Sequence, residues 1–304
     1  MACRANEPDI EPDIDLCICS YLRPEIVETL AAVARQSGIR PCRIRVIVAD
    51  NSVHGEIRDR ILGAAEELGL NLHYVHAPAN NISLARNACM DAARGRWIAF
   101  LDDDETPAPN WLAELLEEAE RGSWDAVVGP VTAIYPAGVP RWLREGDFHS
   151  AYPVWIGNKI ETAYTGNVLF ARALPQKHGI RFRTELGNSG GEDEDFFYRF
   201  NDVGGRIGFA PRAVVYEPVE PQRANITWLL RRNFRAGQSH GSRLRRHNRV
   251  PADIAIAIAK AAACTLGATA HLASAGRRTR YLTRAALHCG VVARLAGLGE
   301  IKMY

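Results

Sequence analysis

From Ile14 to Val131, apolar runs of strand length alternate with amphipathic stretches of helix length, and this alternation leaves few folds open to the chain. Ile14–Ser20, Ile44–Asp50, Leu72–Val75, Trp97–Leu101 and Ala126–Val131 read as strands. Between them, Pro24 opens a helix to about Gln36, and Glu56–Leu68 and Ser83–Arg94 follow, the last closed by Gly95. Pro109–Arg121 is amphipathic, with Gly122 as its stop. Strands separated by helices of this length predict an α/β fold with a mostly parallel, Rossmann-like sheet and right-handed crossovers. Ligands of such sheets collect at the carboxyl ends of the strands. Here those ends carry Cys19-Ser20-Tyr21-Leu22-Arg23, Asp50-Asn51-Ser52, Arg86-Asn87 and Asp102-Asp103-Asp104, so polar and charged groups share one rim.

One strand end is chemically extreme. The apolar run Trp97–Leu101 stops in Asp102-Asp103-Asp104-Glu105. Four adjacent carboxylates repel one another, and burying one unpaired is costly, so packing does not explain them. A cation does. Oxygen-only ligands select a hard ion, Mg²⁺ or Mn²⁺, and such ions carry phosphate oxygens on their other face. The cluster therefore predicts a metal–diphosphate site. A second reading takes Asp102-x-Asp104-x-Thr106 as the nucleophile motif of a haloacid-dehalogenase-like phosphatase, with Asp102 attacking phosphorus. That motif belongs on a first strand, whereas three strand–helix units precede it here. The first strand lacks a following G-x-G-x-x-G, which disfavours a dehydrogenase. A nucleotidyltransferase also wants a glycine-rich first loop.

Beyond Tyr135 the pattern changes. Residues 136–160 are rich in Pro, Gly and Trp and read as irregular, with Trp142 and Trp155 placed to stack on a sugar; Trp111 and Trp228 read as core. Thr165–Phe170 is a strand, and Gly190-Gly191-Glu192-Asp193-Glu194-Asp195 opens a helix whose four carboxylates exceed what an N-terminus needs. Arg206–Ala210 and Ala213–Tyr216 are short strands, and Asn225–Arg246, Ala252–Ser274 and Thr279–Leu295 are helical. The 304 residues have a net charge of +2, but 222–304 holds 15 Lys and Arg against two Asp and Glu, an excess of +13, and the rest sums to −11. Without aromatic residues between the arginines, that tail is not a nucleic-acid surface; a membrane surface or a solvated appendage fits it. The apolar stretch 254–273 contains Lys260 and His271, which argues against a spanning helix. The seven cysteines, from Cys3 to Cys289, have no C-x-x-C spacing and read as reduced thiols of a cytoplasmic protein. Residues 1–13 read as a flexible leader without signal-peptide character, 14–221 as the catalytic domain and 222–304 as a basic helical region.

Six landmarks in this order resemble the family 2 glycosyltransferases, in particular the bacterial polysaccharide-assembly branch that includes the rhizobial succinoglycan glucosyltransferases. They are Cys19–Pro24, Val48–Ser52, Ser83–Asn87, Phe100–Glu105, Thr165-Gly166-Asn167 and Gly191–Phe196. The resemblance runs from about Asp13 to Gly241. It implies a GT-A-type fold, a nucleotide-diphospho-sugar donor (a UDP-sugar) and an inverting reaction. It implies that Asp50 bonds the base, that Ser20, Tyr21 and Arg23 line the nucleotide, and that Arg86 approaches base or diphosphate. Asp102, Asp103 and Asn167 join the donor site, with Asp104 and Asp102 on the metal and Asp193 as catalytic base beside Glu192. In two places the chain departs from the pattern. Where many relatives carry a metal-reaching histidine, Glu217-Pro218 stands, which makes Glu217 the candidate third ligand. The Gln-x-x-Arg-Trp element of processive synthases is absent, favouring transfer of one sugar; Arg232, Arg235 and His240 lie in that region as candidate clamps for a diphosphate or acceptor phosphate. The implied acceptor is a saccharide or a polyprenyl-diphosphate-linked saccharide at the inner face of the plasma membrane. A non-catalytic sugar-nucleotide-binding protein is the remaining alternative, and turnover separates it.

Overall fold

The computed structural model describes residues 13–245 and 250–301. The leader residues 1–12, Cys3 and Arg246 lie outside them. The chain begins β1 (Ile14–Ser20), α1 (Ile26–Ala34), β2 (Ile44–Asp50), α2 (Arg58–Leu68), β3 (Leu72–His76), α3 (Ile82–Ala92) and β4 (Trp97–Asp102). It continues through β5 (Thr106–Pro107), α4 (Trp111–Gly122), β6 (Ala126–Val128), β7 (Val131–Ile134), α5 (Arg141–Gly146), β8 (Trp155–Ile156), β9 (Lys159–Ile160) and β10 (Asn167–Ala171). Then come α6 (Ala173–His178), α7 (Glu192–Asp202), β11 (Ile207–Phe209), β12 (Val215–Pro218), α8 (Ile226–Leu244), α9 (Val250–Ala270) and α10 (Ala275–Leu295). The residues form two compact units. The first holds the described residues to Thr132, Ser150–Asn188 and Glu192–Glu217; the second holds Ala133–His149, Ser189–Gly191 and the chain from Pro218.

The first unit is built on a seven-stranded sheet of order β11-β6-β10-β4-β1-β2-β3. The run β4-β1-β2-β3 is parallel, as the strand–helix alternation requires. Period-two alternation splits each strand between two cores. Ile14, Leu16 and Ile18 of β1 and Trp97, Ala99 and Leu101 of β4 face one core, shared with Trp111, Leu112, Leu115 and Leu116 of α4. Cys17 of β1 and Ile98 and Phe100 of β4 face the other, which holds Ala85 and Cys89 of α3 and Phe196, Phe197 and Phe200 of α7. Phe182 and Phe196 stack there at 4.4 Å between ring centroids. Phe196→Ala would cost ~3–5 kcal/mol, because the surrounding rings cannot collapse into the hole.

Two strand expectations change. Ala126–Val131 is not one strand: Gly129 and Pro130 part β6 from β7, since proline brings no N–H to the ladder. β10 runs antiparallel to both β4 and β6, the one reversed strand of the large sheet. Gly122 does not end α4 by its own conformation; it is the last helical residue, and Ser123 takes the left-handed turn at φ 50°.

In the second unit α10 packs on α8 and α9. The α8–α10 approach is close enough that a Cβ on Gly237 would lie 1.9 Å from the Leu287 carbonyl oxygen, and one on Gly290 2.0 Å from that of Phe234. α9 is 21 residues long, with an 18-residue window of mean hydropathy 1.5 that is only 6% buried. The sequence reading set this region aside for Lys260 and His271, but α9 ends at Ala270, before the histidine. Among the described residues α9 alone is long and apolar enough to cross a membrane by length and composition, and Lys260 lies in its middle.

Candidate active site

The rim residues belong to the first unit and follow from where its strands stop. Asp50 ends β2 fully buried, its Oδ1 accepting from the Ser52 N–H at 2.9 Å and its Oδ2 from the Tyr74 hydroxyl of β3 at 2.8 Å. Burial and the Asp50 carboxylate raise the Tyr74 pKa, so the phenol stays a donor. Asn51 reaches across to α3, its Oδ1 accepting from the Asn81 N–H at 3.2 Å. Tyr21 is 41% exposed, and Leu22 beside it holds a left-handed φ of 54°.

The acidic cluster divides by environment. Ser20 Oγ donates to Asp103 Oδ2 at 2.6 Å, and burial, opposed by that bond and by Arg23, pushes Asp103 up to about 7. Glu105 is buried and accepts the Asp102 N–H at 2.8 Å; burial and then Asp102 hold its carboxyl well above the ordinary range. Asp103 and Glu105 thus point inward as supports. Asp102 and Asp104 remain at the surface. Asp104 is ion-paired with Arg23, which also stands 3.8 Å from Asp103. Burial raises the Asp102 pKa against the pull of Arg86, although its side chain is 49% exposed and solvent screens part of that push. β12 pairs antiparallel with β5, Tyr216 opposite Thr106, and that register sets Glu217 against Glu105, whose pKa it helps to raise.

The second acidic group heads α7. Gly190 and Gly191, at φ 84° and 85°, turn the chain into it. Arg86 of α3 closes a buried ion pair with Glu192, lies 3.9 Å from Asp102 and packs its guanidinium over Phe182 at 5.6 Å. Burial works against that charge, but Glu192, Asp102 and Asp193 outweigh it and hold the Arg86 pKa above its ordinary value. Asp195 is taken by Arg199 at 2.8 Å and Arg183 at 3.4 Å. Among the described residues Asp193 closes no ion pair: its Oδ1 accepts the Glu194 N–H at 2.8 Å, and burial, then the neighbouring Glu192, raise it to about 7 against the pull of Arg86. A carboxylate near neutrality is suited to general-base work.

The geometry bears on four residues that the sequence singled out. Asn167 is not a ligand-facing side chain: fully buried, it accepts from Trp111 Nε1 at 2.7 Å and donates to the carbonyls of Pro130 at 3.0 Å and Ala213 at 2.7 Å. The neighbouring glycine is a close approach, since a Cβ on Gly166 would lie 2.6 Å from Glu105 Oε1. Arg86, expected at the base or the diphosphate, is paired with Glu192 and stands within 3.9 Å of Asp102. In the second unit Arg235 is a buried strut, donating to the Ser189 carbonyl at 2.8 Å, Gly190 carbonyl at 2.5 Å, Ser239 Oγ at 2.8 Å and Glu300 at 2.9 Å, which leaves it unsuited as a clamp. Arg232 lies over Trp228 at 5.3 Å, and His240 Nδ1 meets Arg243 at 2.7 Å. Trp228 is half-buried and stacks on His149 at 5.2 Å, where the sequence reading placed it in the core; Trp111 is fully buried as expected. The Tyr74–Asp50 and Arg86–Glu192 pairs carry no local sequence signal, because their partners are 24 and 106 positions apart.

Asp102 and Asp104 supply oxygen donors only, and among the described residues no three His, Cys, Asp or Glu side chains converge into a complete cation cage. That donor set fits a hard ion which takes two carboxylates from the chain and its remaining ligands from a diphosphate.

A Rossmann-like sheet with these strand ends is the architecture of the GT-A nucleotide-sugar transferases. Over 96% of the chain and 89% of its own, the mannosyltransferase PcManGT of Pyrobaculum calidifontis, solved with GDP-Man and Mn²⁺, superposes with a TM-score of 0.65 at 21% identity. TarS of S. aureus, solved with UDP, matches 72% of the chain and 63% of its own with a TM-score of 0.55 at 20% identity. Residues 15–179 match the sequence profile of Glycosyl transferase family 2. The succinoglycan biosynthesis protein ExoM of Rhizobium meliloti is 46% identical over 96% of the chain and 95% of its own length. The chain belongs to glycosyl transferase family 2. It is a glycosyltransferase, and the phosphatase reading of Asp102 falls with that finding.

Proposed function

We propose that the enzyme is metal-dependent and inverting, and that it moves one sugar from a UDP-sugar to a polyprenyl-diphosphate-linked saccharide during bacterial surface-polysaccharide assembly. The observation that carries this reading is Arg86, one guanidinium within ion-pair range of both Asp102 and Glu192, which ties the two carboxylate groups into one site. Asp50, oriented by Tyr74, accepts from uracil, and Ser20 and Tyr21 line the nucleotide while Arg23 shifts from Asp104 toward the diphosphate. Mg²⁺ or Mn²⁺ held by Asp102 and Asp104 would offset the charge of the departing diphosphate, while Glu217, expected as a third ligand, lies beside Glu105. Asp193 Oδ2 takes the proton of the acceptor hydroxyl as its oxygen bonds the anomeric carbon on the face opposite the leaving group. The anomeric C–O bond to the diphosphate breaks, and the nucleoside diphosphate leaves with its electron pair. The buried Glu192–Arg86 pair holds Asp193 in place and, after burial, sets its pKa.

The named functions of relatives support this reading. ExoM is a succinoglycan biosynthesis protein. A glucosyl-dolichyl phosphate glucuronosyltransferase of Haloferax volcanii, 21% identical over 74% of the chain, has a polyprenyl lipid in its name. The basic excess of 222–304 suits an anionic lipid surface, placing the enzyme at the inner face of the plasma membrane.

The test is turnover of radiolabelled UDP-sugars with a polyprenyl-diphosphate oligosaccharide as acceptor. An inverted anomer in the product is expected, and a retained one overturns the mechanism. Donor binding without turnover of any acceptor would restore the binding-protein alternative.

A further inference from the structure

The second unit contains a cavity of about 460 Å³ that holds none of the carboxylates of the candidate active site. It lies where α5 meets the start of α10, and Arg141, Trp142, Glu145, Ser274, Arg277 and Arg280 line it. Three guanidiniums against one carboxylate make it basic. Arg280 anchors the wall, its Nη2 donating to the Gly146 carbonyl at 2.9 Å and its guanidinium lying over Phe148 at 5.6 Å. Arg141 is paired with the exposed Glu145, at 2.6 Å, a contact that solvent weakens. Arg277 is exposed. Ser274, the N-cap of α10, makes no side-chain cap bond, so the positive end of that helix adds to the field.

A different surface adjoins this cavity. α9 ends at Ala270 and leads through Leu272 to Ser274, a residue of the cavity wall. Four apolar side chains along it and just past its end are exposed: Ile256 is 52% exposed, Ile258 53% and Leu266 70% on α9, and Leu272 64% beyond it. A basic cavity with room for a phosphate head, next to a helix whose outer apolar side chains are exposed, matches an amphiphile with an anionic head and a hydrocarbon tail. Lys260, in the middle of α9, opposes a spanning pose and suits a helix lying in the bilayer interface. Trp142 at the cavity has the amphipathic ring that settles at headgroup level.

We propose that this cavity seats the phosphate head of a membrane lipid while α9 lies along the apolar surface of the bilayer. The inference rests on the membrane assignment made above and gives it a site. A phospholipid and an isoprenoid phosphate present the same chemistry to the arginines.

The test is flotation of the full chain with vesicles of phosphatidylcholine alone, with added phosphatidylglycerol, or with added undecaprenyl phosphate. Arg277→Gln and Arg141→Gln, both at exposed positions, are compared with wild type and with Arg231→Gln, an exposed arginine outside the cavity. Melting temperature and UDP binding verify that each variant is folded. The wild type is expected to float with both anionic vesicles and not with phosphatidylcholine alone. Each cavity variant should partition about fivefold less at unchanged UDP affinity, and Arg231→Gln should stay near wild type. A greater loss on undecaprenyl phosphate than on phosphatidylglycerol would assign the isoprenoid head, and an equal loss a general phospholipid site. Cavity variants that float like wild type, or an equal loss in Arg231→Gln, would overturn the cavity while leaving membrane binding intact. A wild type that floats with no anionic vesicle would overturn the membrane reading itself. Inorganic diphosphate bound in free solution as tightly as vesicles, and lost in Arg277→Gln, would reassign the cavity to a soluble phosphate.

Discussion

Arg86 of α3 and Glu192 at the start of α7 stand 106 positions apart in the chain and close an ion pair in which both side chains are only 8% exposed. Their burial makes the pair a structural commitment. Neutralising either partner strands the other charge away from water, a loss of ~3–5 kcal/mol, whereas replacing both with apolar residues of similar volume should cost much less. A denaturant double-mutant cycle on Arg86→Met, Glu192→Met and the double variant measures this. Additive losses would show that the two charges do not depend on each other.

Burial first, then Glu192 against the pull of Arg86, set the pH at which Asp193 can serve as the proposed base. A base acts deprotonated, so kcat/KM should rise with pH about tenfold per unit below about 7 and level off above it. Glu192→Gln removes a like charge and leaves Arg86 nearer to balance Asp193, so the midpoint should move to lower pH. Arg86→Gln should move it higher. Asp193→Asn should lower transfer by at least ~10²-fold with UDP affinity within about twofold of wild type. The pH–rate profiles of the three variants provide the comparison.

In the proposed donor site, Asp50 held by Tyr74 is the group that accepts from the nucleotide base. Tyr74→Phe deletes the hydroxyl that donates to Asp50 Oδ2 at 2.8 Å and should weaken UDP binding modestly by loosening the carboxylate. Asp50→Asn should weaken it by about tenfold or more, since hydrogen bonds to charged groups are worth ~1.5–3 kcal/mol. Inorganic diphosphate, which lacks the base, should bind both variants as it binds wild type. Titration calorimetry reads all three affinities.

Asn167 is expected to matter for folding rather than for donor binding. Asn167→Ala leaves the Trp111 Nε1–H and the carbonyls of Pro130 and Ala213 unpaired in the core, at a combined cost of about 3 kcal/mol or more. Thermal melts should show the loss, and the folded fraction should bind UDP with near wild-type affinity. A stable variant that has lost UDP binding would return Asn167 to the donor site.

The sheet and its rim were legible because the central parallel strands, buried on both faces, read as short apolar runs between helices, and because a strand ending in Asp102–Glu105 has no packing rationale. The direction of β10 was not legible. Asn167–Ala171 reads the same in either direction, and the choice lies with β4 and β6, far away in sequence. Side chains with remote partners misled for the same reason. An arginine among arginines, such as Arg235, shows no local mark of the carbonyls of Ser189 and Gly190 that consume it. Asp15 was passed over as one acid in an apolar strand, yet it is fully buried and accepts the N–H groups of Arg94 and Gly95 at 2.6 Å.

The central claim is a donor diphosphate bound through a cation on Asp102 and Asp104. Calorimetric titration of UDP into wild type and Asp104→Ala, each with and without Mn²⁺, tests it most directly. The account predicts tight binding only for wild type with Mn²⁺, and a severe loss when either the ion or the Asp104 carboxylate is removed. Equal UDP affinity in all four titrations would contradict it.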